Sequence, residues 1–181
     1  MTRRVLVLFA AVAVALAGVA ATAQMPPAQA HDHRIPKTVL KKGARELQEG
    51  LKVIDSNWSH PTTGNECVDI NSVYVYRFPE QDRVAAGSKL RVRLLKSQKP
   101  DSFTVTAYPR LNSEGIPRGE ARQLNTSLRR VVQDGQTVAW DVIFFVNGSD
   151  RHYYLITEGH WQDRQGCGGD HWAHWSFHVR T

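Results

Sequence analysis

The sequence predicts a mainly β protein, a single antiparallel β-sandwich of about seven strands that is immunoglobulin-like in the broad sense. Three observations predict this fold. Short stretches rich in Val, Ile, Phe and Tyr recur through residues 67–181, and several alternate apolar and polar residues as a half-buried strand does. Turn-forming pairs such as Asp134-Gly135 and Asn147-Gly148 separate them. Regular helical spacing is rare, which argues against an α/β fold.

Residues 1–30 have the composition of a secretory signal peptide. Two arginines precede an apolar run at residues 5–19, and small-x-small sites end at Ala23 and Ala30. Either alanine is a candidate cleavage site. The run is shorter than the roughly 20 residues of a membrane-spanning helix, although an uncleaved anchor is the alternative. We therefore expect a secreted or periplasmic protein with no membrane span after cleavage.

The remaining chain is mildly basic. The full chain has a formal net charge of +6, which becomes +6 − 2 = +4 once the two leader arginines are subtracted. Over Lys89–Arg93 the basic residues alternate with apolar ones, as on the wet face of a strand. A nucleic-acid-binding domain more often shows a dense basic stripe with interleaved aromatics. No nucleic-acid partner is expected, and the length after cleavage suits one domain.

Residues 31–66 are predicted to form an N-terminal arm and loop that precede the sandwich domain at 67–181. We expect a short helix or an irregular arm over Thr38–Ile54, interrupted by Gly43 and Gly50. Four apolar residues carry the helical spacing: Leu40, Ala44, Leu47 and Leu51.

The strands of the sandwich follow in order. The clearest alternates Leu90, Val92 and Leu94 with charged residues. The strand that ends at Val146 is apolar on both faces and is expected to be central, and the one that begins at Leu124 is expected at an edge. The predicted strands are Val68–Phe78, Lys89–Lys96, Phe103–Tyr108, Leu124–Val132, Thr137–Val146, Tyr153–Thr157 and Trp172–Arg180.

Cys67 and Cys167 are the two cysteines of the chain. An even number of cysteines in an exported protein favours a disulfide. The bond would close a segment of 101 residues, which the chain-entropy model values at about 4.7 kcal/mol. Free thiols or a metal site are the alternatives, although neither cysteine belongs to a Cys-x-x-Cys pair.

The aromatic and His-rich segment Glu158–His174 is predicted to be a loop that carries the function. Large Trp and Tyr rings in loops offer much contact area with few torsions to freeze, which suits a sugar or a protein partner. The alternative is that Trp161 and Trp172 fold over the disulfide. We predict a non-catalytic binding or structural role, with an extracellular glycan or protein as partner, through Tyr153, His160, Trp161, His171, Trp172 and His174.

Histidines suggest a second hypothesis, a metal site. Five lie close together in sequence: His152, His160, His171, His174 and His178. On one strand His174 and His178 are roughly 13 Å apart, too far to share an ion. His160 and His171 could meet at the base of the loop. Hydrogen-bonded or solvated surface histidines are the simpler interpretation.

Cleavage after Ala30 would create another metal site at the new N-terminus. His31 and His33 would then supply imidazoles beside the free amino group and backbone amides, a nitrogen set that suits Cu(II) or Ni(II). Cleavage after Ala23 removes this site. No cofactor is otherwise expected, and an extracytoplasmic copper-binding protein is the alternative function.

The two ends of the chain resemble those of the CopC copper-carrier family. After cleavage at Ala30 the chain opens on His31, and it closes on the strand-like Trp175–Val179. The resemblance implies a copper-binding β-sandwich. This chain is longer than that family and departs from it near the last strand, where adjacent Asp170 and His171 stand in place of an Asp-x-His pair.

Catalytic motifs are absent from the sequence: it has no Gly-x-Ser-x-Gly, no His-Glu-x-x-His and no P-loop. We therefore expect no enzyme. Glu158, Asp163 and Asp170 bracket the aromatic segment, so a hydrolase that uses paired carboxylates on an extracellular polymer is the second alternative.

Overall fold

The described chain is mainly β. The computed structural model describes residues 35–61, 67–71, 76–163 and 169–181, with side chains at 35–51, 76–162 and 171–181. These ranges contain strands and turns but no helix. Within them there is accordingly no helix long and apolar enough to cross a membrane. They form more strands than the seven or so predicted: β1 (Thr38–Lys42), β2 (Arg45–Glu49), β3 (Leu51–Pro61), β4 (Cys67–Asn71), β5 (Asp82–Arg83), β6 (Ser88–Leu94), β7 (Ser102–Tyr108), β8 (Arg110–Leu111), β9 (Pro117–Arg118), β10 (Arg122–Gln123), β11 (Ser127–Gln133), β12 (Gln136–Val146), β13 (His152–Asp163) and β14 (Gly169–Arg180).

These strands form three sheets. A five-stranded sheet has the order β11-β12-β6-β1-β2, and a seven-stranded sheet has the order β10-β7-β13-β14-β3-β4, with β5 beside β14. The short strands β8 and β9 form the third sheet. Strand pairing is antiparallel, apart from the parallel contact of β5 with β14. The predicted antiparallel β architecture is confirmed, whereas the simpler strand count is wrong.

One hydrophobic cluster contains residues from both large sheets. In β6, Leu90, Val92 and Leu94 are at most 1% exposed, and charged residues alternate with them on the other face. Trp175 and Phe177 of β14 belong to the same cluster. The alternation predicted for β6 is therefore confirmed, and it directs the apolar side of this strand into a core shared with the seven-stranded sheet.

The N-terminal segment forms strands rather than the helix predicted over Thr38–Ile54. β1 joins the five-stranded sheet between β2 and β6, whereas β3 pairs with β14 in the seven-stranded sheet. Gly43 has a φ of 58° in the turn after β1, a conformation that favours glycine. Gly50 stands between β2 and β3, where a Cβ would collide with Thr38 and the Phe177 ring. Gly43 therefore lies in a turn, and Gly50 lies where the chain crosses from one sheet to the other. The helix prediction is wrong because pairing with neighbouring strands overrides the helical spacing of the apolar residues.

The two predicted hairpin turns have different outcomes. Asp134 and Gly135 have φ values of 50° and 76° and connect the paired strands β11 and β12, as a type I′ turn does. Asn147-Gly148 lies between β12 and β13, which belong to different sheets. The Asn147 side chain accepts hydrogen bonds from the Ser149 amide at 3.2 Å and the Tyr153 hydroxyl at 2.8 Å. The turn is real, but its prediction as a hairpin is wrong.

Most of the other predicted strands are present. β6, β7, β11, β12 and β14 coincide with predicted strands within a few residues, and β11 lies at a sheet edge as expected. Of the strand predicted over Val68–Phe78, residues 68–71 belong to β4, residues 72–75 lie outside the described residues, and Phe78 is not part of a strand.

The β13–β14 hairpin occupies the middle of the seven-stranded sheet. Its register runs from His152 opposite Arg180 to Asp163 opposite Gly169. β7 flanks it on one side and β3 on the other. The segment Glu158–His174, predicted as a loop, is therefore largely strand, and only residues 164–168 within it lie outside the described residues. The predicted binding residues stand on strands because the hairpin is longer than the turn chemistry indicated.

Candidate functional site

The β13–β14 hairpin carries all six residues that were predicted to bind a ligand, and strand alternation divides them. Three point to the core and are at most 6% exposed: Tyr153, Trp161 and His171. Three lie on the opposite, outer face and are half-buried: His160, Trp172 and His174. Because successive side chains of a strand point to opposite faces, one ligand cannot contact both sets. His160 and His171, considered above as residues that could meet at the base of a loop, lie on opposite faces.

The inner set packs inside the protein. The Trp161 ring meets Trp175 edge to face, with 6.3 Å between centroids, and its Nε1 donates to the Gln98 carbonyl at 3.4 Å. Gly159 makes room for this ring, since a Cβ there would lie 2.6 Å from it. Tyr153 is 1% exposed. These aromatic rings stabilise the core, as large buried rings do, and are not on the surface to meet a ligand.

The outer set belongs to a polar and aromatic surface. His160 lies opposite Trp172, and Glu158 lies opposite His174 across the hairpin. On the other side of β13, His160 faces Ser102 and Glu158 faces Thr104. We call these residues the outer platform: Ser102, Thr104, Glu158, His160, Trp172 and His174.

A polar contact and a ring contact organise the outer platform. His174 Nε2 lies 3.2 Å from Glu158 Oε2, and the Glu158 side chain is 49% exposed. The Trp172 and His174 rings are tilted at 53° with 5.4 Å between their centroids. The platform thus offers an aromatic ring, a carboxylate that accepts hydrogen bonds and imidazoles that can donate or accept them. Such a set can bind a polar, partly apolar ligand.

A second group of outer-face residues lies toward the other end of the hairpin. His152 Nδ1 is 3.1 Å from His178 Nε2, and we call these two residues the histidine pair. The Tyr154 ring stacks on His178 with 4.2 Å between centroids, and Phe78 meets Tyr154 edge to face at 5.2 Å. The row of Ile156 and Ser176 separates the pair from the outer platform.

Both members of the histidine pair have lowered pKa values. Burial lowers the pKa of His178, the charge of His152 lowers it further, and a hydrogen bond with the Pro79 backbone opposes these effects. Burial lowers the pKa of His152 as well, together with the positive charges of Arg180 and Arg151. Both effects favour neutral imidazoles, which keep one nitrogen lone pair each.

Contacts from outside the hairpin hold His178 in place. Gln48 of β2 accepts from the His178 amide at 2.9 Å and donates to its carbonyl at 2.6 Å. The same Gln48 amide group also donates to the Glu80 carbonyl at 2.8 Å. Ser176 hydrogen-bonds the Arg77 carbonyl. The segment that contains Arg77 and Glu80 is thereby fixed against this end of the hairpin.

A third group of polar side chains lies on the five-stranded sheet, where arginines surround one buried carboxylate. Asp141 of β12 is 0% exposed and accepts from Arg93 at 2.7 and 3.1 Å and from Arg129 at 3.3 Å. Arg91 lies 3.5 Å from the same carboxylate. Burial alone would raise the pKa of Asp141, but the hydrogen bonds and charges of these arginines together lower it. This carboxylate stabilises the sheet and leaves little acceptor capacity for a ligand.

Several predicted residues lie outside the described part of the chain. His31, His33 and Cys167 are outside it altogether, and Cys67 is described only through its backbone at the start of β4. The same limit covers the side chains of Asp163 and Asp170. Among the described residues, no group of three or more His, Cys, Asp or Glu side chains is arranged to hold a metal ion.

No protein-family model, no curated protein and no solved structure matches this chain.

Two contacts on the outer face, the histidine pair and the pairing of His174 with Glu158, were not predicted. The sequence shows all four residues, and all four occupy even-numbered positions of two neighbouring strands. Which of them pair depends on the register of the β13–β14 hairpin. This register could not be derived from the sequence, because Glu158–His174 was predicted to be a loop.

Proposed function

We propose that the protein is an exported, non-catalytic binding protein whose ligand surface is the outer platform. The observation that carries this proposal is the position of Trp172, His174 and Glu158 together on the outer face, partly exposed and adjacent. Residues 1–30 support export, because their composition is that of a secretory signal.

The ligand class that fits the outer platform best is a glycan. A half-buried Trp ring can contact the apolar face of a sugar, while Glu158, His160 and His174 provide acceptors and donors for hydroxyl groups. The neighbouring Ser102 and Thr104 extend this polar surface along β7. Rings held on paired strands are positioned more rigidly than rings on a loop, which reduces the entropy lost on binding.

The scaffold we infer is a two-sheet sandwich, stabilised by a disulfide between Cys67 and Cys167. The shared hydrophobic cluster supports the two-sheet arrangement, since it contains residues of both large sheets. The pairing of the two cysteines rests on their even number in an exported chain. Non-reducing mass analysis of the exported protein tests it, because a bridged chain is two mass units lighter than a reduced one.

Glycan binding to Trp172 is the test of the proposed function. The secreted full-length chain is screened against neutral, acidic and amino-sugar oligosaccharides, and affinity for the best binder is measured by calorimetry. We expect Trp172→Ala to weaken binding by at least about tenfold, because truncating a Trp at the centre of an interface often costs about 2 kcal/mol or more.

Phe145→Ala is the matched control, because Phe145 is an aromatic residue that is 58% exposed on the five-stranded sheet. Its affinity should equal that of the unmodified protein. If no oligosaccharide binds, or if Trp172→Ala binds as tightly as Phe145→Ala, the glycan proposal is wrong.

A further inference from the structure

The two imidazoles of the histidine pair face each other across the two strands of the hairpin. His152 of β13 and His178 of β14 are diagonal neighbours, because Tyr154 is directly opposite His178 and His152 is directly opposite Arg180. Their ring centroids are 5.3 Å apart and the facing nitrogens only 3.1 Å apart. The two nitrogens therefore lie between the rings and point toward each other.

The spacing of these nitrogens matches two adjacent ligands of one metal ion. Imidazole nitrogens bind Zn²⁺ at about 2.0–2.1 Å, so two of them on one ion are about 2.9 Å apart at a right angle and about 3.4 Å apart at the tetrahedral angle. The observed 3.1 Å falls between these limits. Because the two nitrogens now face each other, each ring must turn by about 40° for both lone pairs to point at one ion at this nitrogen separation.

The surroundings of His178 favour the tautomer that a metal requires. Its ring hydrogen-bonds the Pro79 backbone, and only the carbonyl of a proline can take part, since proline has no N–H. Because Nε2 faces His152, we assign the donor to Nδ1, which leaves the Nε2 lone pair free to bind. Metal-ligating histidines commonly donate their second nitrogen to a carbonyl in this way.

His152 can adopt the complementary tautomer. In the structure its Nδ1 is the partner of His178 Nε2, so with His178 as the acceptor Nδ1 carries the proton. Moving that proton to Nε2 through solvent exposes the Nδ1 lone pair, and the ring stays neutral throughout. His152 is half-buried, so water has access to this side of the pair.

We propose that His152 and His178 form a two-imidazole site for a divalent transition metal ion, Cu(II) above Ni(II) or Zn(II). Two nitrogen ligands disfavour hard cations such as Mg²⁺ and Ca²⁺, which prefer oxygen ligands. Cu(II) has the highest affinity of the divalent series for such a donor set. Water completes the coordination. The site is separate from the outer platform and does not depend on glycan binding.

Metal titration of the secreted full-length chain tests the site. His31→Ala and His33→Ala are introduced first, so that a copper site at the N-terminus cannot contribute. Cu(II) affinity and stoichiometry are measured by calorimetry, and Zn(II) is added in a parallel NMR titration of the imidazole nitrogens. We expect one ion per chain and selective shifts of His152 Nδ1 and His178 Nε2.

Single-residue variants identify the ligands. His152→Gln and His178→Gln should each weaken Cu(II) binding by at least about tenfold, the lower end of what changes around a metal site cost. His174→Gln keeps the histidine pair and should bind as the parent does. The His152→Gln variant should fold normally, because the Gln48 contacts with the His178 backbone remain. The proposal is overturned if the parent binds no Cu(II), or if the folded His152→Gln variant binds it as tightly as the parent.

Discussion

Two carboxylates on neighbouring sheets show how differently this fold uses charge. Asp141 of the five-stranded sheet is 0% exposed and is surrounded by Arg91, Arg93 and Arg129. Glu158 of the seven-stranded sheet is 49% exposed and pairs with His174 at 3.2 Å. Both occupy the strand face that points away from the hydrophobic cluster, yet only Asp141 is covered by long side chains from the neighbouring strands.

The difference lies in how much hydrogen-bonding capacity remains. Two oxygens of a carboxylate provide about four acceptor positions, and the guanidinium groups around Asp141 occupy both of its oxygens. Glu158 keeps part of its surface in solvent. A saturated, buried carboxylate stabilises the sheet that holds it, whereas a partly solvated one beside aromatic and imidazole rings can exchange water for a ligand.

Removing the Asp141 charge should have the largest effect on stability. Asp141→Asn keeps the shape of the side chain but leaves three arginines crowded around a neutral amide. We expect the free energy of unfolding to fall by about 3 kcal/mol, as it does when one member of a buried ion pair is removed. Urea unfolding measures this loss. A change below about 1 kcal/mol would contradict a structural role for Asp141 and remove the contrast with Glu158.

Acidification should weaken the same cluster in a predictable direction. The pKa of Asp141 is lower in the folded protein than its ordinary value, so the folded state binds fewer protons than the unfolded state as the pH falls. The stabilisation is complete above the unfolded pKa of about 3.9 and is lost as the pH falls through the folded pKa. The stability difference between the parent and Asp141→Asn should therefore shrink below about pH 4. Urea unfolding at several pH values tests this, and a constant difference would show that Asp141 is not the group responsible.

The sequence was sufficient to predict the antiparallel β architecture and several strands in it. The alternation of Leu90, Val92 and Leu94 with charged residues is a local signal that needs no partner to be recognised. Asp134-Gly135 was equally informative, because both residues adopt positive φ in a tight hairpin. The prediction of an N-terminal helix was wrong because the structure of this segment depends on long-range pairing and not on a local signal. Leu40 is buried because β1 lies between β2 and β6, which is a long-range fact.

The candidate site could be predicted only as far as its residue types. Trp172, His174 and Glu158 stand out in the sequence, but their grouping with each other and apart from Trp161 requires the strand alternation and the hairpin register. A shift of one residue would exchange the two faces. Because turn residues indicated a loop where the strands continue, the sequence placed buried and exposed rings in one site.

Removing the Glu158 charge should have the smallest effect on stability. It can therefore change ligand binding without changing folding. Glu158→Gln replaces a partly exposed carboxylate beside His174 by a neutral amide, so the free energy of unfolding should change by less than about 1 kcal/mol. Glycan affinity should nevertheless fall, because a charged acceptor hydrogen-bonds hydroxyl groups more strongly than an amide does. Glu46→Gln is the matched control, since Glu46 pairs with Lys41 at 2.8 Å on the other sheet. It should leave glycan affinity unchanged. If both variants bind the glycan equally well, the ligand does not contact Glu158. If Glu158→Gln loses much stability, Glu158 stabilises its sheet as Asp141 does, and the contrast between the two carboxylates is wrong.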